Sequence, residues 1–316
     1  MKRYTDLAQI PAGYGPTVVT IGNFDGVHIG HQKVLSTLVA TAQERGLTSV
    51  AVSFDPHPAV VHGPEGSHVD IMGQKDRQAV MAELGVDVYL LLHYDLDFAA
   101  QTPEEFVTRT FVDALDARCV VIGDDVRFGT NNSGNLATMK ELGQRFGFDV
   151  VVVEDLLVSD ASRCSSTAIR RLLGQGRVAE AGSLLGRSHY MRGEVVHGAA
   201  RGRELGFPTA NLSADSKGLV PADGVYAGWL IDEQEIRHPV AISVGTNPTF
   251  EGITTRQVEA HVIDRTDEKV EDFNLYGQQI TLEFVAFLRG MVAYTGVEAL
   301  VEQMYQDVEQ SRQILS

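Results

Sequence analysis

Two histidines follow a glycine-rich stretch early in the chain, at residues 22–31 (GNFDGVHIGH). His28 and His31 are three residues apart, so they face the same side of a helix. Free amides at a helix start attract phosphate, and imidazoles beside them can stabilise charge on a phosphoryl group in transfer. The stretch therefore predicts a triphosphate-binding site. The alternatives are a two-histidine metal pair and ordinary polar side chains.

A second candidate phosphate-binding element lies much later in the chain, where three hydroxyl residues precede an arginine. The residues are Ser165, Ser166, Thr167 and Arg170. Hydroxyls at the start of a helix, followed by a guanidinium, suit the β- and γ-phosphates of a nucleotide. Taken alone, the pattern is equally that of a simple helix cap.

A third candidate, residues 206–211 (GFPTAN), has no strand or helix periodicity, and we expect it to interrupt a strand-rich region. The Thr209 hydroxyl and the Asn211 carbonyl are hard oxygen donors that suit Mg²⁺ beside ATP phosphates. A loop with ordinary turn chemistry is the alternative. Further on, Glu259 alternates with apolar Val258 and Ala260, so it faces away from the core. It could serve as a general base or be a solvated strand charge.

The elements around the histidines predict a doubly wound parallel sheet. Nearly continuous apolar runs, typical of strands buried on both faces, occur at residues 18–21, 50–54, 88–92, 120–122 and 150–153. Helical patterns occur between them, at residues 31–44 and 74–84, after the N-cap Thr102, and at residues 136–146. Ligands bind beyond the carboxyl ends of such strands, which is where the glycine stretch lies.

The second half of the chain has a different pattern. Alternating runs separated by turns predict an antiparallel barrel, at residues 190–196, 224–231, 240–244, 256–263 and 279–287. Residues 297–315 repeat apolar side chains at helical spacing, which predicts an amphipathic helix that packs on the barrel. We place the domain boundary between residues 186 and 187.

Composition narrows the class of protein. The net charge of the 316 residues is −16, which argues against nucleic acid as a partner. There is no run of eighteen apolar residues and no apolar signal core, so we expect a cytoplasmic protein with no membrane span. Cys119 lies in an apolar run and is predicted to be a buried structural thiol. The oligomeric state is left open between a monomer and a homo-oligomer.

Taken together, these motifs resemble the prokaryotic bifunctional riboflavin kinase/FMN adenylyltransferase family over nearly all of the chain. The resemblance rests on residues 22–31, 54–58 (FDPHP), 123–129 (GDDVRFG), 165–170, 206–211, 224–226, 243–250 and 258–264. Two departures occur. Val126 stands where the family usually has Phe, and the stretch Gln74-Lys75-Asp76-Arg77 departs from the usual Glu-Lys pair, so Lys75 is assigned no role.

The resemblance implies an adenylyltransferase domain at residues 1–186 and a riboflavin kinase domain at residues 187–316. It implies ATP, riboflavin and FMN as substrates, with His28 and His31 acting on the ATP phosphates. Glu259 would be the kinase base, and Thr209 and Asn211 would hold Mg²⁺. The implied nucleotide or phosphate-binding residues are Gly22, Asn23, Phe24, Asp25, Gly30, Ser165, Ser166, Thr167, Arg170, Gly206 and Pro208. The implied flavin-binding residues are His57, Asp125, Arg127, Phe207 and Arg289.

Three other functions compete with this one. The chain could be a riboflavin kinase whose first half is inactive, or a flavin-binding regulator without turnover. It could also transfer an adenylyl group to a different phosphate acceptor. Intact histidines, Glu259, Thr209 and Asn211 argue against the first two, and the barrel would have no evident purpose in the third. We found no Walker motif, so an ordinary P-loop kinase is excluded.

Overall fold

The computed structural model describes residues 1–66, 68–154, 157–158, 162–198, 205–245, 256–264 and 275–316. These residues divide into two compact units, Met1–Ser165 and Ser166–Ser316. The predicted boundary between residues 186 and 187 stays a prediction. Among the described residues, no helix combines the length and the apolar content needed to cross a membrane.

The first unit is built on a parallel sheet of six strands. They are β1 (Lys2–Tyr4), β2 (Thr17–Ile21), β3 (Thr48–Asp55), β4 (Val88–His93), β5 (Ala117–Gly123) and β6 (Asp149–Val153). The strand order is β1-β4-β3-β2-β5-β6, and every pairing is parallel. From β2 the chain proceeds to β3 and β4 on one side, and then to β5 and β6 on the other. The carboxyl ends of β2 and β5 therefore form the switch point at which such sheets bind ligands.

Helices connect these strands, as the sequence predicts. They are α1 (Ile29–Arg45), α2 (Pro58–His62), α3 (Gln74–Glu83), α4 (Leu96–Ala99), α5 (Pro103–Phe106) and α6 (Leu136–Phe146). Thr102 and Glu105 form the predicted capping box, and α5 continues into a π-helical segment, Val107–Ala114. A short hairpin, β7 (Leu157–Val158) and β8 (Ser162–Arg163), precedes the second unit.

The core of the first unit confirms the pattern of apolar runs. Val19, Val50, Leu90 and Val120 lie on adjacent strands and are fully buried. Cys119 is fully buried too, as predicted, and burial raises the pKa of its thiol. Continuous burial along β2 to β5 is what a sheet covered on both faces requires.

The second unit is a closed barrel with helices. After α7 (Ser166–Leu173) and α8 (Val178–Leu185) come β9 (His189–Val196), β10 (Thr209–Leu212), β11 (Gly224–Ile231), β12 (Arg237–Gly245), β13 (Gln257–Val262) and β14 (Gln279–Arg289). The final helix is α9 (Val297–Leu315). The barrel closes in the order β10-β13-β12-β11-β14-β9 with antiparallel pairing. The fold class predicted from sequence is confirmed in both units.

One sequence expectation about the barrel is wrong. The segment at residues 206–211 is not wholly an interruption, because Thr209 to Leu212 form β10 and pair with both β9 and β13. The strand has only four residues and two of its first three side chains are polar, so its alternation is too short to recognise.

Candidate active sites

The first candidate site begins where β2 ends. Residues 22–28 form the turn between β2 and α1, and His28 caps the helix, because its Nδ1 accepts a hydrogen bond from the His31 amide at 3.3 Å. An unprotonated Nδ1 leaves the proton of a neutral His28 imidazole on Nε2. The sequence-predicted helix start is therefore present, with histidine in the place usually taken by a small polar residue.

The two histidines stack on each other, with ring centroids 3.6 Å apart and an interplanar angle of 18°. Burial lowers the pKa of His31 well below its usual range, helped by the adjacent His28 and by the guanidinium of Arg77. His31 is therefore neutral at pH 7. Its Nδ1 is buried and has no hydrogen-bond partner among the described residues.

The turn itself has an unusual backbone. Phe24, Gly26 and Val27 all have positive φ, at 50°, 78° and 38°. Asp25 is buried between them and accepts hydrogen bonds from the Ile71 amide at 2.9 and 3.1 Å. The carboxylate also pairs with Arg77, whose Nη2 lies 3.3 Å from Asp25 Oδ1. Asp25, predicted to bind nucleotide, thus anchors the turn to the segment that leads into α3.

An aromatic cavity opens beside this turn, at the switch point of the sheet. Ile21, Gly22 and Asn23 line it after β2, and Arg127 and Phe128 line it after β5. The remaining wall includes four aromatic side chains, Phe54, Tyr94, Phe98 and Phe106, beside Pro58, Ala99, Gln101, Gly129 and Asn132. A cavity that combines aromatic side chains with polar groups suits a flat aromatic ligand that carries a phosphate.

The structure brings only some of the predicted flavin residues of this unit to the cavity. Arg127 lines it and is exposed. His57 instead caps α2 by accepting from the Ala59 amide, and its ring stacks on His68 at 4.0 Å. Asp125 is an exposed residue in the turn after β5. The flavin roles of these residues stay predictions.

The predicted hydroxyl-rich helix start is also present as a local structure. Helix α7 begins at Ser166, and Arg170 lies in its last turn. Ser165 ends the first unit and α7 belongs to the second. The pyrophosphate role of Ser165, Ser166, Thr167 and Arg170 stays a prediction.

In the barrel, strand pairing brings the predicted kinase residues together. Asn211 on β10 is the register partner of Glu259 on β13, and Thr209 is the partner of His261. Paired residues point to the same face of a sheet, so Thr209, Asn211 and Glu259 share one face. Ala210 and Ala260 lie on the opposite face and are buried. The alternation that predicted an outward Glu259 is confirmed by this burial pattern.

The oxygen atoms on this face lie close together. The Thr209 hydroxyl donates to Glu259 Oε2 at 3.4 Å, and Asn211 Nδ2 lies 3.4 Å from Thr209 Oγ1. Asn211 Oδ1 is buried and has no hydrogen-bond partner among the described residues. A buried carbonyl oxygen left unpaired beside a hydroxyl and a carboxylate fits a hard divalent cation such as Mg²⁺.

Residues 206–208 approach β10 from outside the strand. Gly206 has a φ of 85°, and the buried Phe207 ring packs against His261 and against Tyr305 of α9. The Pro208 carbonyl accepts a hydrogen bond from His261 Nδ1 at 2.9 Å. This segment is therefore fixed to both β13 and the final helix.

Arg289, predicted to bind flavin, has a structural partner. Its guanidinium forms two hydrogen bonds with the buried Asp307 carboxylate of α9, at 2.8 and 2.6 Å. This ion pair joins the end of β14 to the final helix, and the flavin role stays a prediction. Residues 246–250, within the stretch 243–250 on which the family resemblance partly rests, lie outside the described residues.

Sequence reasoning missed two features of the first site. Arg77 was read only as part of a departure from the family pattern, although its side chain is fully buried beside Asp25. Tyr94 and Phe98 lie between motifs and carry no spacing that would mark them. The one available clue to Arg77 was its place within the helical pattern of α3. An arginine on the buried side of a helix needs charged or hydrogen-bonding partners.

The fold and these two clusters define a two-domain transferase class, and comparison with known proteins identifies the family. The profile of FAD synthetase matches residues 11–168, and the profile of riboflavin kinase matches residues 185–315. Two curated relatives, from Listeria monocytogenes and Escherichia coli K12, are both named bifunctional riboflavin kinase/FMN adenylyltransferase. Each is 33% identical; the first match covers 93% of this chain and 91% of the relative, the second 92% and 90%.

A solved structure has the same fold along its whole length. A crystal structure described as a macrolide-efflux protein from Streptococcus pneumoniae matches with a TM-score of 0.85 and 30% identity, over 98% of both chains. This chain belongs to the family of bifunctional riboflavin kinase/FMN adenylyltransferases. It is thus an enzyme of flavin cofactor biosynthesis, and the family predicted from its motifs is confirmed.

Proposed function

We propose that residues 187–316 phosphorylate riboflavin to FMN with ATP, and that residues 1–186 transfer the adenylyl group of a second ATP to FMN. The observation that carries this proposal is the shared position of Gly22 and Asn23. They belong to the turn that presents the histidines, and they also line the aromatic cavity. A phosphate-binding turn next to an aromatic cavity matches an acceptor made of a flat ring and a phosphate.

In the adenylyl transfer, an oxygen of the FMN phosphate attacks the α-phosphorus of ATP. The bond from the α-phosphorus to the bridging oxygen breaks, and pyrophosphate leaves with that oxygen. No protein nucleophile is needed, so catalysis consists of positioning and charge stabilisation. His28 and His31 donate to the ATP phosphates, and the start of α1 adds its amides. Ser165, Ser166, Thr167 and Arg170 bind the departing pyrophosphate.

In the kinase reaction, the 5′-hydroxyl of the ribityl chain attacks the γ-phosphorus of ATP, and ADP leaves. Glu259 accepts the hydroxyl proton, for which the carboxylate must lie within hydrogen-bond reach of the substrate. Thr209 and Asn211 would hold Mg²⁺, for which the hydroxyl and the unpaired Oδ1 are suitable donors. When bound, the cation neutralises charge on the ATP phosphates.

The test is a single product assay. The chain is incubated with riboflavin and Mg-ATP, and riboflavin, FMN and FAD are separated by chromatography over time. We expect FMN to appear first and FAD to follow. If FMN forms but FAD does not, even when FMN is supplied, the transferase assignment is wrong. If neither product forms, the result supports a flavin-binding regulator.

A further inference from the structure

Arg77 connects three parts of the first unit through one buried guanidinium. Its side chain is fully buried on α3. Nη1 donates to the Asn23 carbonyl at 3.0 Å, and Nη2 lies 3.3 Å from both Asp25 Oδ1 and Asp70 Oδ2. Arginine can do this because its donors form a rigid planar fork.

The turn that Arg77 holds needs such support. Positive φ at Phe24 and Val27 costs roughly 1–3 kcal/mol per residue, and such conformations persist where the surroundings fix them. Arg77 binds the residues on both sides of Phe24, namely the Asn23 carbonyl and the Asp25 carboxylate. The conformation of Phe24 is therefore fixed from both of its neighbours.

Phe24 in turn contacts a proposed phosphate ligand. Its buried ring packs edge-on against the His31 imidazole, with centroids 5.3 Å apart. On the other side the ring fills the space in which a Cβ of Gly22 would lie, at 3.0 Å. A continuous set of contacts therefore runs from Arg77 through the turn to His31.

We propose that Arg77 is a positioning residue for adenylyl transfer, which holds the turn at residues 23–25 so that His28 and His31 meet the ATP phosphates. This inference rests on the proposed function of the turn. Arg77 acts through Asn23, Asp25 and Phe24. Stability alone gives little reason for the arrangement, because replacing a buried ion pair by apolar residues is often neutral or stabilising.

A metal site in the same place is a weaker explanation. Asp25, His68 and Asp70 place one potential ligand atom each within 4.8 Å of one another. Both carboxylates, however, already pair with the Arg77 guanidinium, and Asp70 also pairs with His68 at 3.0 Å. A cation there would face a fixed positive charge, so the cluster is better explained as the anchor of Arg77.

The experiment compares Arg77→Met, which removes the fork, with Arg77→Lys, which keeps the charge. Arg45→Met is the matched control, because it removes an Arg–Asp pair with Asp149 that lies at the surface. Each full-length variant is assayed below its unfolding midpoint, determined by circular dichroism. FAD formation from supplied FMN is measured beside FMN formation from riboflavin, so the kinase half reports the amount of active enzyme in each preparation and circular dichroism reports folding.

We expect Arg77→Met to lower kcat for FAD formation about 100-fold, the usual effect of a displacement of about 1 Å. The KM for FMN changes less than kcat, because Asn23 is the cavity residue within the held turn, whereas Phe54, Tyr94 and Phe98 lie on other elements. Arg77→Lys keeps the charge but not the fork, so it recovers only part of kcat. Kinase activity, and both activities of Arg45→Met, stay within about twofold of wild type.

Folded Arg77→Met with FAD formation within about threefold of wild type would overturn the inference. If Arg77→Met fails to fold, Arg77→Lys decides, and wild-type kcat in that variant would overturn it as well. His31→Ala tests the proposed function separately. If His31→Ala retains FAD formation, the phosphate role of the turn fails; if only the Arg77 variants retain it, the positioning role alone fails.

Discussion

Glu259 and Asn211 face each other across β10 and β13, so one isosteric change at Glu259 should separate the two activities. Glu259→Gln keeps the shape of the side chain but cannot accept the hydroxyl proton. We expect FMN formation to fall by about 10²–10⁴-fold, the usual contribution of a general base. FAD formation from supplied FMN stays unchanged, as measured by chromatography of both products. Joint loss of both activities would contradict the division into two sites.

His28 has two roles that substitution can separate. His28→Ala removes both the imidazole and the helix cap, and the lost cap costs about 1 kcal/mol. His28→Asn removes the imidazole but keeps an acceptor for the His31 amide. We expect both variants to lose FAD formation by about 10²-fold or more, and only His28→Ala to unfold at lower temperature. Wild-type FAD formation in His28→Asn would show that capping, not phosphate binding, is the function of this histidine.

At the scale of single side chains, the sequence points to candidate site residues where they stand together in compact motifs. His28, His31, Thr209, Asn211 and Glu259 fall into this group. Arg77 does not, because its two partners in the turn, Asn23 and Asp25, are 54 and 52 residues away in sequence. Pairing over such a separation is set by the packing of α3 against the turn, and no local spacing encodes it.

Gly198, two residues after β9, lies close to Asn211, one of the two proposed Mg²⁺ donors. A Cβ on Gly198 would lie 2.5 Å from Asn211 Cγ, Oδ1 and Nδ2, so Gly198→Ala must displace this amide. Overpacking costs roughly 1–3 kcal/mol, and a cost of that size on the Asn211 amide corresponds to about 5- to 150-fold weaker use of Mg²⁺. We expect FMN formation to need more Mg²⁺, and the assay is a Mg²⁺ titration of kinase activity.

Gly290→Ala is the control for this variant. Gly290 lies in the same unit, its φ is ordinary, and a Cβ there would meet no atom within 4 Å. We expect its Mg²⁺ dependence to equal that of wild type. If Gly198→Ala also behaves as wild type, Asn211 is not a ligand of the cation.

Helices and strands were predictable where their patterns are long. The apolar run at residues 50–54 corresponds to β3 (Thr48–Asp55), and the alternating run at residues 224–231 corresponds to β11 (Gly224–Ile231). The helical pattern at residues 297–315 corresponds to α9. The strands β1 and β10 were missed because three or four residues give too few repeats of an alternation. Their position comes from pairing with β4 and with β9 and β13, which depends on distant sequence.

Acid should unfold the barrel more readily because of one buried histidine. Burial, with a smaller effect of Arg187, lowers the pKa of His189 to about 4, although its bond to the Leu219 carbonyl opposes this. As the pH falls, His189 of the unfolded chain therefore binds a proton at a higher pH than His189 of the folded chain. Above about pH 6.5 the residue is neutral in both states, and the stability that it contributes is fully present. It is lost as the pH falls to about 4, by about 3 kcal/mol in total.

The measurement uses the single tryptophan of the chain, Trp229 on β11 of the barrel. Its fluorescence reports urea unfolding of this unit at pH 7 and at pH 5. His189→Gln keeps an amide donor for Leu219 but cannot be protonated, so we expect a smaller loss between the two pH values. His93→Gln, a change at an exposed histidine of the first unit, should follow wild type. Equal losses in wild type and His189→Gln would contradict the assignment.

At the scale of the whole chain, the family and both fold classes follow from the order of the motifs. What does not follow is the boundary between the parts, because residues 166–186 form helices that cluster with the barrel although the predicted transferase domain includes them. Helical periodicity predicts that α7 and α8 each bury one face, but it does not predict which unit that face packs against.

The two sheets also differ in how they end. The barrel is closed, so each of its strands is paired on both sides, whereas the parallel sheet ends at β1 and β6. β1 has three residues and carries Lys2 and Arg3, features that discourage pairing with another chain. β6 has four consecutive valines, and in the described part of the chain it pairs with β5 alone. Aggregation under mild stress is therefore expected to start at β6, in the half that makes FAD.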